Sequence, residues 1–247
     1  MLSRNKQTDG ALYAARYSFR PNKLNYCGPD QNKEMFEYLA AGENDGGLEE
    51  ILKKFETFYP YLKLIASANR EADPFNKKVI ESYWVGNDFL ENIAPGKLFY
   101  HLADNLNLKK KLAASDIRAI GEKMPAGANP HHSFHVFNIW KRTGFTESPH
   151  TLFTMDECRV GWGKIQAISK NIITALYSPL VFEKHTLAFG APVLKNIYYE
   201  LQDEVISSGD WISFHWSSFC EVLAPEQIQN LKYWTRINLD LANYEKR

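Results

Sequence analysis

The sequence predicts an α+β protein with an N-terminal all-α helical domain, followed by a small β-rich domain that ends in a C-terminal helix. In the first half, apolar residues recur at the spacing of an amphipathic helix. In the second half, short β-branched and aromatic runs are bounded by turn residues, and a last apolar stripe follows Pro225. The loop over residues 143–154 is the predicted boundary because it contains Gly144, Ser148 and Pro149. We therefore expect two domains, over residues 1–150 and 151–247.

About six helices are predicted before residue 145. Asp73 followed by Pro74 is typical of a helix start, with a capping residue and then proline at the first helical position. The other clear helical patterns cover residues 47–58, the segment from Pro60 onward, and the segment from Asn129 and Pro130 to about Lys141.

Strands are predicted over residues 172–177 and 211–216, since both runs are short and rich in β-branched and aromatic residues. Residues 158–168 and 219–223 also have an extended pattern. The final helix begins at Pro225, and its apolar stripe consists of Ile228, Leu231, Trp234, Ile237 and Leu241.

Composition excludes several classes of protein. The chain has 247 residues, with 29 Lys and Arg against 29 Asp and Glu, so it lacks the positive charge of a typical nucleic-acid binder. The longest uncharged apolar run, residues 171–182, is shorter than the roughly 20 residues needed to cross a bilayer. The N-terminus has no secretory apolar segment, and three cysteines form no disulfide framework. We expect a soluble cytoplasmic protein with no nucleic-acid or membrane partner.

The densest group of metal-ligand residues contains His131, His132 and His135. On a continuous helix these three histidines share one arc, and the apolar Phe134 and Phe137 lie on the other side. His131 and His135 are four residues apart, a spacing that lets two imidazoles bind one zinc ion. Two interpretations remain open: metal or catalytic use, and hydrogen bonding at a domain interface.

A second candidate group lies in the turn-forming segment Tyr26-Cys27-Gly28-Pro29-Asp30. Cys27 is either a reactive thiol or metal ligand, or an incidental buried cysteine. Asp30 is a candidate carboxylate beside it.

Four segments in the second half occur in the order found in a known family. Residues 158–168 resemble the opening of the HypC-type hydrogenase assembly chaperones, and residues 209–216 resemble their later strand that ends in a histidine. Residues 219–223 are similar to the next strand of that family, and Pro225-Glu226-Gln227 to the start of its final helix. The resemblance covers about residues 155–240. In the family the cysteine is N-terminal, whereas here a whole predicted domain precedes Cys158.

The resemblance implies that residues 151–247 form a small β-barrel of the oligosaccharide/oligonucleotide-binding (OB-like) shape with a closing helix. It also implies an iron centre with cyanide and carbonyl ligands, held by the family's cysteine and strand histidine, which correspond to Cys158 and His215. Thiolate and imidazole are both ligands that suit iron. The alternative is that Cys158 only begins a buried strand and that His215 is a hydrogen-bonded sheet histidine.

Three functions remain in competition. The first is an accessory protein of [NiFe]-hydrogenase or related metalloenzyme maturation, which carries iron or docks on a maturation protein or the hydrogenase large subunit. The second is an enzyme whose zinc, manganese or iron is held by the histidine cluster at 131–135 with Asp30 or Glu81. The third is an interaction module without chemistry, which the high aromatic content would suit.

Overall fold

The computed structural model describes residues 9–139 and 151–244 of the chain. The end of the helix predicted to reach Lys141, and most of the predicted boundary loop, lie outside these ranges. No helix within the described residues is both long enough and apolar enough to pass through a bilayer.

Residues 9–139 are helical, with more and shorter helices than the sequence predicts. The first helix, α1, follows Asp9, whose carboxylate accepts hydrogen bonds from the backbone N–H groups of Ala11 and Leu12. Single turns of other helical types cover Asp88–Asn92 (3₁₀), His101–Asn105 (π) and His135–Ile139 (π). The α-helices are α1 (Gly10–Lys23), α2 (Asn32–Ala41), α3 (Gly47–Leu52), α4 (Phe58–Ala68), α5 (Lys77–Trp84), α6 (Pro95–Tyr100), α7 (Leu108–Lys111), α8 (Ala114–Lys123) and α9 (His132–Phe134).

The predicted helix start at Asp73-Pro74 is wrong by three residues. Asn76 is the capping residue of α5, because its side chain accepts a hydrogen bond from the Lys78 N–H at 2.9 Å. The Asp73 carboxylate accepts from the Phe75 N–H at 2.8 Å and closes a turn before the helix. Two candidate caps therefore lie close together, and the second one begins the helix.

Residues 151–244 contain two further helices and seven strands. The strand predicted over residues 158–168 is present from Gly161 onward, because Cys158 is the last residue of the preceding helix. The elements are α10 (Leu152–Cys158), β1 (Gly161–Ser169), β2 (Ile172–Tyr177), β3 (Leu180–Glu183), β4 (Thr186–Phe189), β5 (Val193–Tyr198), β6 (Trp211–His215), β7 (Ser218–Val222) and α11 (Pro225–Ala242).

Five strands pair in the order β1-β2-β5-β7-β6, and β6 pairs in turn with β1. The β5–β7 contact is parallel and consists of one residue pair, Tyr198 and Ser218. Strands β3 and β4 form a separate hairpin. The predicted α+β class and the closing C-terminal helix are confirmed, whereas these pairings do not by themselves establish the OB-like barrel.

One apolar core joins the helical part to the β-rich part. Cys220 on β7 and Leu231 on α11 belong to the same buried cluster as side chains of α1, α4 and α5. Gly86 allows α11 to approach closely: its φ is +94°, and a Cβ there would lie 2.1 Å from Cδ1 of Trp234. A second cluster lies inside the five-stranded sheet and consists of Ile165, Ile173, Ala175, Ile197, Tyr199, Ile212, Phe214 and Phe219.

A buried polar contact also crosses between the two parts. The carboxylate of Glu221 on β7 accepts hydrogen bonds from the hydroxyl groups of Tyr13 and Tyr17 on α1. Burial raises the pKa of Glu221 to about 7, although the two tyrosine hydrogen bonds oppose that rise.

Candidate metal centre

Three side chains able to bind a metal meet where the helical part touches the β-rich part. His132 is the first residue of α9, Cys158 is the last residue of α10, and His215 is the last residue of β6. One ring nitrogen of each histidine and the Cys158 sulfur lie within 4.8 Å of one another. The structure therefore brings together the Cys158 and His215 pair suggested by the resemblance, and adds one histidine from the 131–135 cluster.

His215 is held by two backbone carbonyl groups. Its Nδ1 is 2.7 Å from the Tyr17 oxygen, and its Nε2 is 2.7 Å from the Cys158 oxygen. Burial lowers the pKa of His215 to about 4, so its imidazole is neutral at pH 7 and carries a single N–H. Only one of the two nitrogens can donate a hydrogen bond, and the other presents a lone pair to a carbonyl oxygen. One buried nitrogen of His215 therefore directs a lone pair at a carbonyl oxygen to which it cannot donate.

His132 has a compatible set of partners. Its Nδ1 is 3.0 Å from the Tyr83 hydroxyl, which can donate to it, and its Nε2 is 2.8 Å from the Cys158 oxygen, to which it can donate. Burial lowers the pKa of His132 well below its usual value, and the neighbouring His215 lowers it further. Both imidazoles are therefore neutral at pH 7, the form in which histidine binds metals.

Glu157 fixes the chain segments that carry Cys158 and His215. Its buried carboxylate forms an ion pair with Lys195 and accepts a 2.7 Å hydrogen bond from the Ser217 hydroxyl. Its backbone oxygen accepts from the N–H of Trp216 at 2.9 Å. Trp216 and Ser217 both have positive φ, as a tight two-residue hairpin turn between β6 and β7 requires. The end of α10 is thus attached to the turn that follows His215.

A cavity of about 90 Å³ adjoins the three candidate ligands. That volume holds several water-sized groups. The walls are mainly aromatic, and the Trp84 ring lies 4.5 Å from the His132 ring and 5.4 Å from the His215 ring, between centroids. The lining includes two buried polar atoms, the Ser18 hydroxyl and the Trp84 ring nitrogen, that have no hydrogen-bond partner among the described residues.

The helix predicted from Asn129 and Pro130 begins only at His132, and it changes from α to π geometry at His135. His131 is the capping residue of α9, with extended backbone angles, and its Nδ1 accepts from the Ser133 N–H at 3.2 Å. His135 begins the π turn, and its Nδ1 lies 3.3 Å from the Tyr61 hydroxyl. His131 and His135 are therefore not on one helical face. Among the described residues, neither belongs to the group with ligand spacing.

The remaining candidates divide between the cavity and the surface. Cys27 and His135 line the cavity, whereas Asp30 is exposed and does not line it. The Glu81 carboxylate accepts from the side-chain amides of Asn87 and Gln227, and it is not part of the group with ligand spacing.

Sequence reasoning missed the residues that orient the site. Tyr17, Tyr83 and Glu157 contact the candidate ligands or the segments that carry them, yet no motif marks the tyrosines. The contacts that orient the two histidines join distant parts of the chain. His132 contacts Cys158, 26 positions away, and His215 contacts Tyr17, 198 positions away. Local spacing could not have revealed them.

Comparison with known proteins places the chain in a family without assigning it an activity. Residues 6–247 match a family described as a family of unknown function (DUF6390). That description does not mention the HypC-type chaperones, so the resemblance stays a prediction. No curated protein and no solved structure matches the chain. Because the match extends over nearly the whole sequence, the chain belongs to the DUF6390 family.

Proposed function

We propose that this protein is a metal-binding accessory protein of metalloenzyme assembly, in which His132, Cys158 and His215 hold one metal ion. The observation that carries the proposal is the grouping of two imidazoles and a thiol within 4.8 Å, in which one His215 nitrogen directs a lone pair at a carbonyl oxygen. A metal ion would accept that lone pair, while Nδ1–H donates to the Tyr17 oxygen. A ligating histidine commonly donates its other ring N–H to a carbonyl oxygen in this way.

The donor set indicates which metals fit. One thiolate and two imidazoles suit iron, zinc or copper, whereas magnesium, calcium and manganese favour oxygen ligands. The resemblance to HypC-type chaperones favours iron, carried as cargo with cyanide and carbonyl ligands, and zinc is the principal alternative. The same resemblance supports an OB-like barrel for the paired strands, as part of this proposal.

The proposed partner is a hydrogenase maturation protein or the large subunit of a hydrogenase, and this rests on the resemblance alone. The two histidines are buried, whereas Cys158 is half-buried. We therefore expect transfer of the ion to proceed from the side of the Cys158 sulfur.

The enzyme hypothesis based on His131, His132 and His135 is not favoured, because these three side chains do not form a group with ligand spacing. The interaction module without chemistry remains an alternative. It would predict that partner binding survives the loss of every candidate ligand.

The test is the metal content of protein purified under anaerobic conditions. We expect about one ion per chain in the wild type, and loss of that ion in Cys158→Ala and in His215→Ala, because each removes a ligand. Cys220→Ala is the matched control, since Cys220 is a buried core thiol that hydrogen-bonds backbone oxygens outside the site. Iron in the wild type would justify a search for cyanide and carbonyl infrared bands. Undiminished metal in a folded Cys158→Ala/His215→Ala double variant would refute the proposal.

A further inference from the structure

The cavity beside the candidate metal centre contains a second thiol. Cys27 lines the same walls as His132, Cys158 and His215, although its sulfur is not part of the group within 4.8 Å. We infer that Cys27 supplies a fourth ligand to the ion and so makes a site of two thiolates and two imidazoles. This inference rests on the proposed function and specifies how the helical part of the chain takes part in it.

The loop that carries Cys27 is attached to the strand end that carries His215. The Tyr26 ring stacks on the Trp216 ring with 3.9 Å between centroids, which joins the residue before Cys27 to the residue after His215. The side-chain amide of Asn22 donates to the Cys27 oxygen at 2.8 Å and to the Pro29 oxygen at 2.6 Å. These contacts hold the loop at the wall of the cavity.

Close packing at Gly28 also positions the thiol. Gly28 has φ +77°, and a Cβ at this position would lie 2.3 Å from the Phe55 ring. The loop therefore lies directly on Phe55, with Cys27 at the cavity wall.

Other side chains in the cavity are poorer candidates for the fourth ligand. His135 already interacts with the Tyr61 hydroxyl, and Glu56 is exposed. The Ser18 hydroxyl is a neutral oxygen, whereas metals bound by thiolate and imidazole favour a further soft donor. Cys27 is the lining residue whose chemistry matches that of the other three.

Charge balance supports the same ligand. A divalent ion bound by one thiolate and two neutral imidazoles keeps one positive charge in a largely aromatic, buried region, and an uncompensated buried charge is strongly unfavourable. The Cys27 thiolate would cancel that charge. The buried carboxylate next to the site, on Glu157, is already neutralised by Lys195.

Cobalt(II) binding to the full-length, reduced protein tests the inference. The near-ultraviolet band from sulfur-to-cobalt charge transfer grows with the number of bound thiolates, so two thiolates give about twice the intensity of one. We expect Cys27→Ala to bind cobalt with about half the wild-type band intensity, and Cys220→Ala to match the wild type. A Cys27→Ala variant with full wild-type intensity would overturn the fourth ligand and leave the proposed function intact.

A second measurement needs no variant. X-ray absorption of the zinc-loaded wild type should give two sulfur neighbours per zinc, at about 2.3 Å. One sulfur per zinc would refute the role of Cys27 alone. A folded wild type that binds neither cobalt nor zinc would refute both this inference and the proposed function.

Discussion

Replacing Lys195 with methionine should strongly destabilise the protein, because it leaves the Glu157 carboxylate without its cation. The side chains of Lys195 and Glu157 are only 14% and 6% exposed, so solvent screens this ion pair little. Removing one partner of a buried pair costs about 3–5 kcal/mol. The Ser217 hydroxyl still donates to Glu157 in the variant, which favours the lower end of that range.

The loss is measurable by thermal unfolding. For a chain of this size, each kcal/mol shifts Tm by about 2–4 °C, so a loss of about 3 kcal/mol predicts a decrease of roughly 6–12 °C. Lys53→Met is the matched control, because Lys53 pairs with the exposed Glu50 and a surface pair contributes about 0–1 kcal/mol. Adding Glu157→Gln to Lys195→Met should recover part of the loss, since the buried group is then neutral.

The reasoning would be wrong if Lys195→Met lowered Tm no more than Lys53→Met does. It would also be wrong if the double variant were less stable than Lys195→Met alone. Because Glu157 holds the turn after the strand of one candidate ligand, we further expect Lys195→Met to weaken zinc binding.

Three further predictions concern pH, packing and ligand orientation. Burial gives Glu221 a pKa of about 7, above the usual value. Its contribution to stability is therefore fully present below about pH 4.5 and is lost as the pH rises through 7. Tm measured from pH 5 to 8 should show Glu221→Gln gaining on the wild type as the pH rises. Gly86→Ala should destabilise the fold by about 2–4 kcal/mol in urea unfolding, through positive-φ strain and overpacking, whereas Gly96→Ala, with open space around its Cβ, should not. Tyr83→Phe should lower zinc affinity about 10–100-fold in a chelator competition, because it removes the hydroxyl that orients His132; an unchanged affinity would contradict that role.

Much of the architecture follows from local patterns in the sequence. The strands predicted over residues 172–177 and 211–216 and the helix from Pro225 agree with β2, β6 and α11 to within a residue. Side-chain periodicity and turn residues act over a few neighbours, so they are readable without tertiary contacts. The helix start after Asp73 was less predictable, since two capping residues compete there and the downstream one, Asn76, begins the helix.

The candidate site required the tertiary structure. The order of motifs relates Cys158 to His215, and the sequence also marks Cys27 and the histidines at 131–135 as chemically notable. It could not select His132 from its neighbours, because that choice depends on where α9 begins and on its contact with the end of α10.

The sequence by itself therefore determined the α+β class, the main strands and the residue types able to bind a metal. The tertiary structure alone decided which of those residues meet, because ligand geometry depends on contacts between distant segments. The 2.7 Å approach of His215 Nδ1 to the Tyr17 oxygen joins residues 198 positions apart in the chain. No local spacing encodes a contact of that kind.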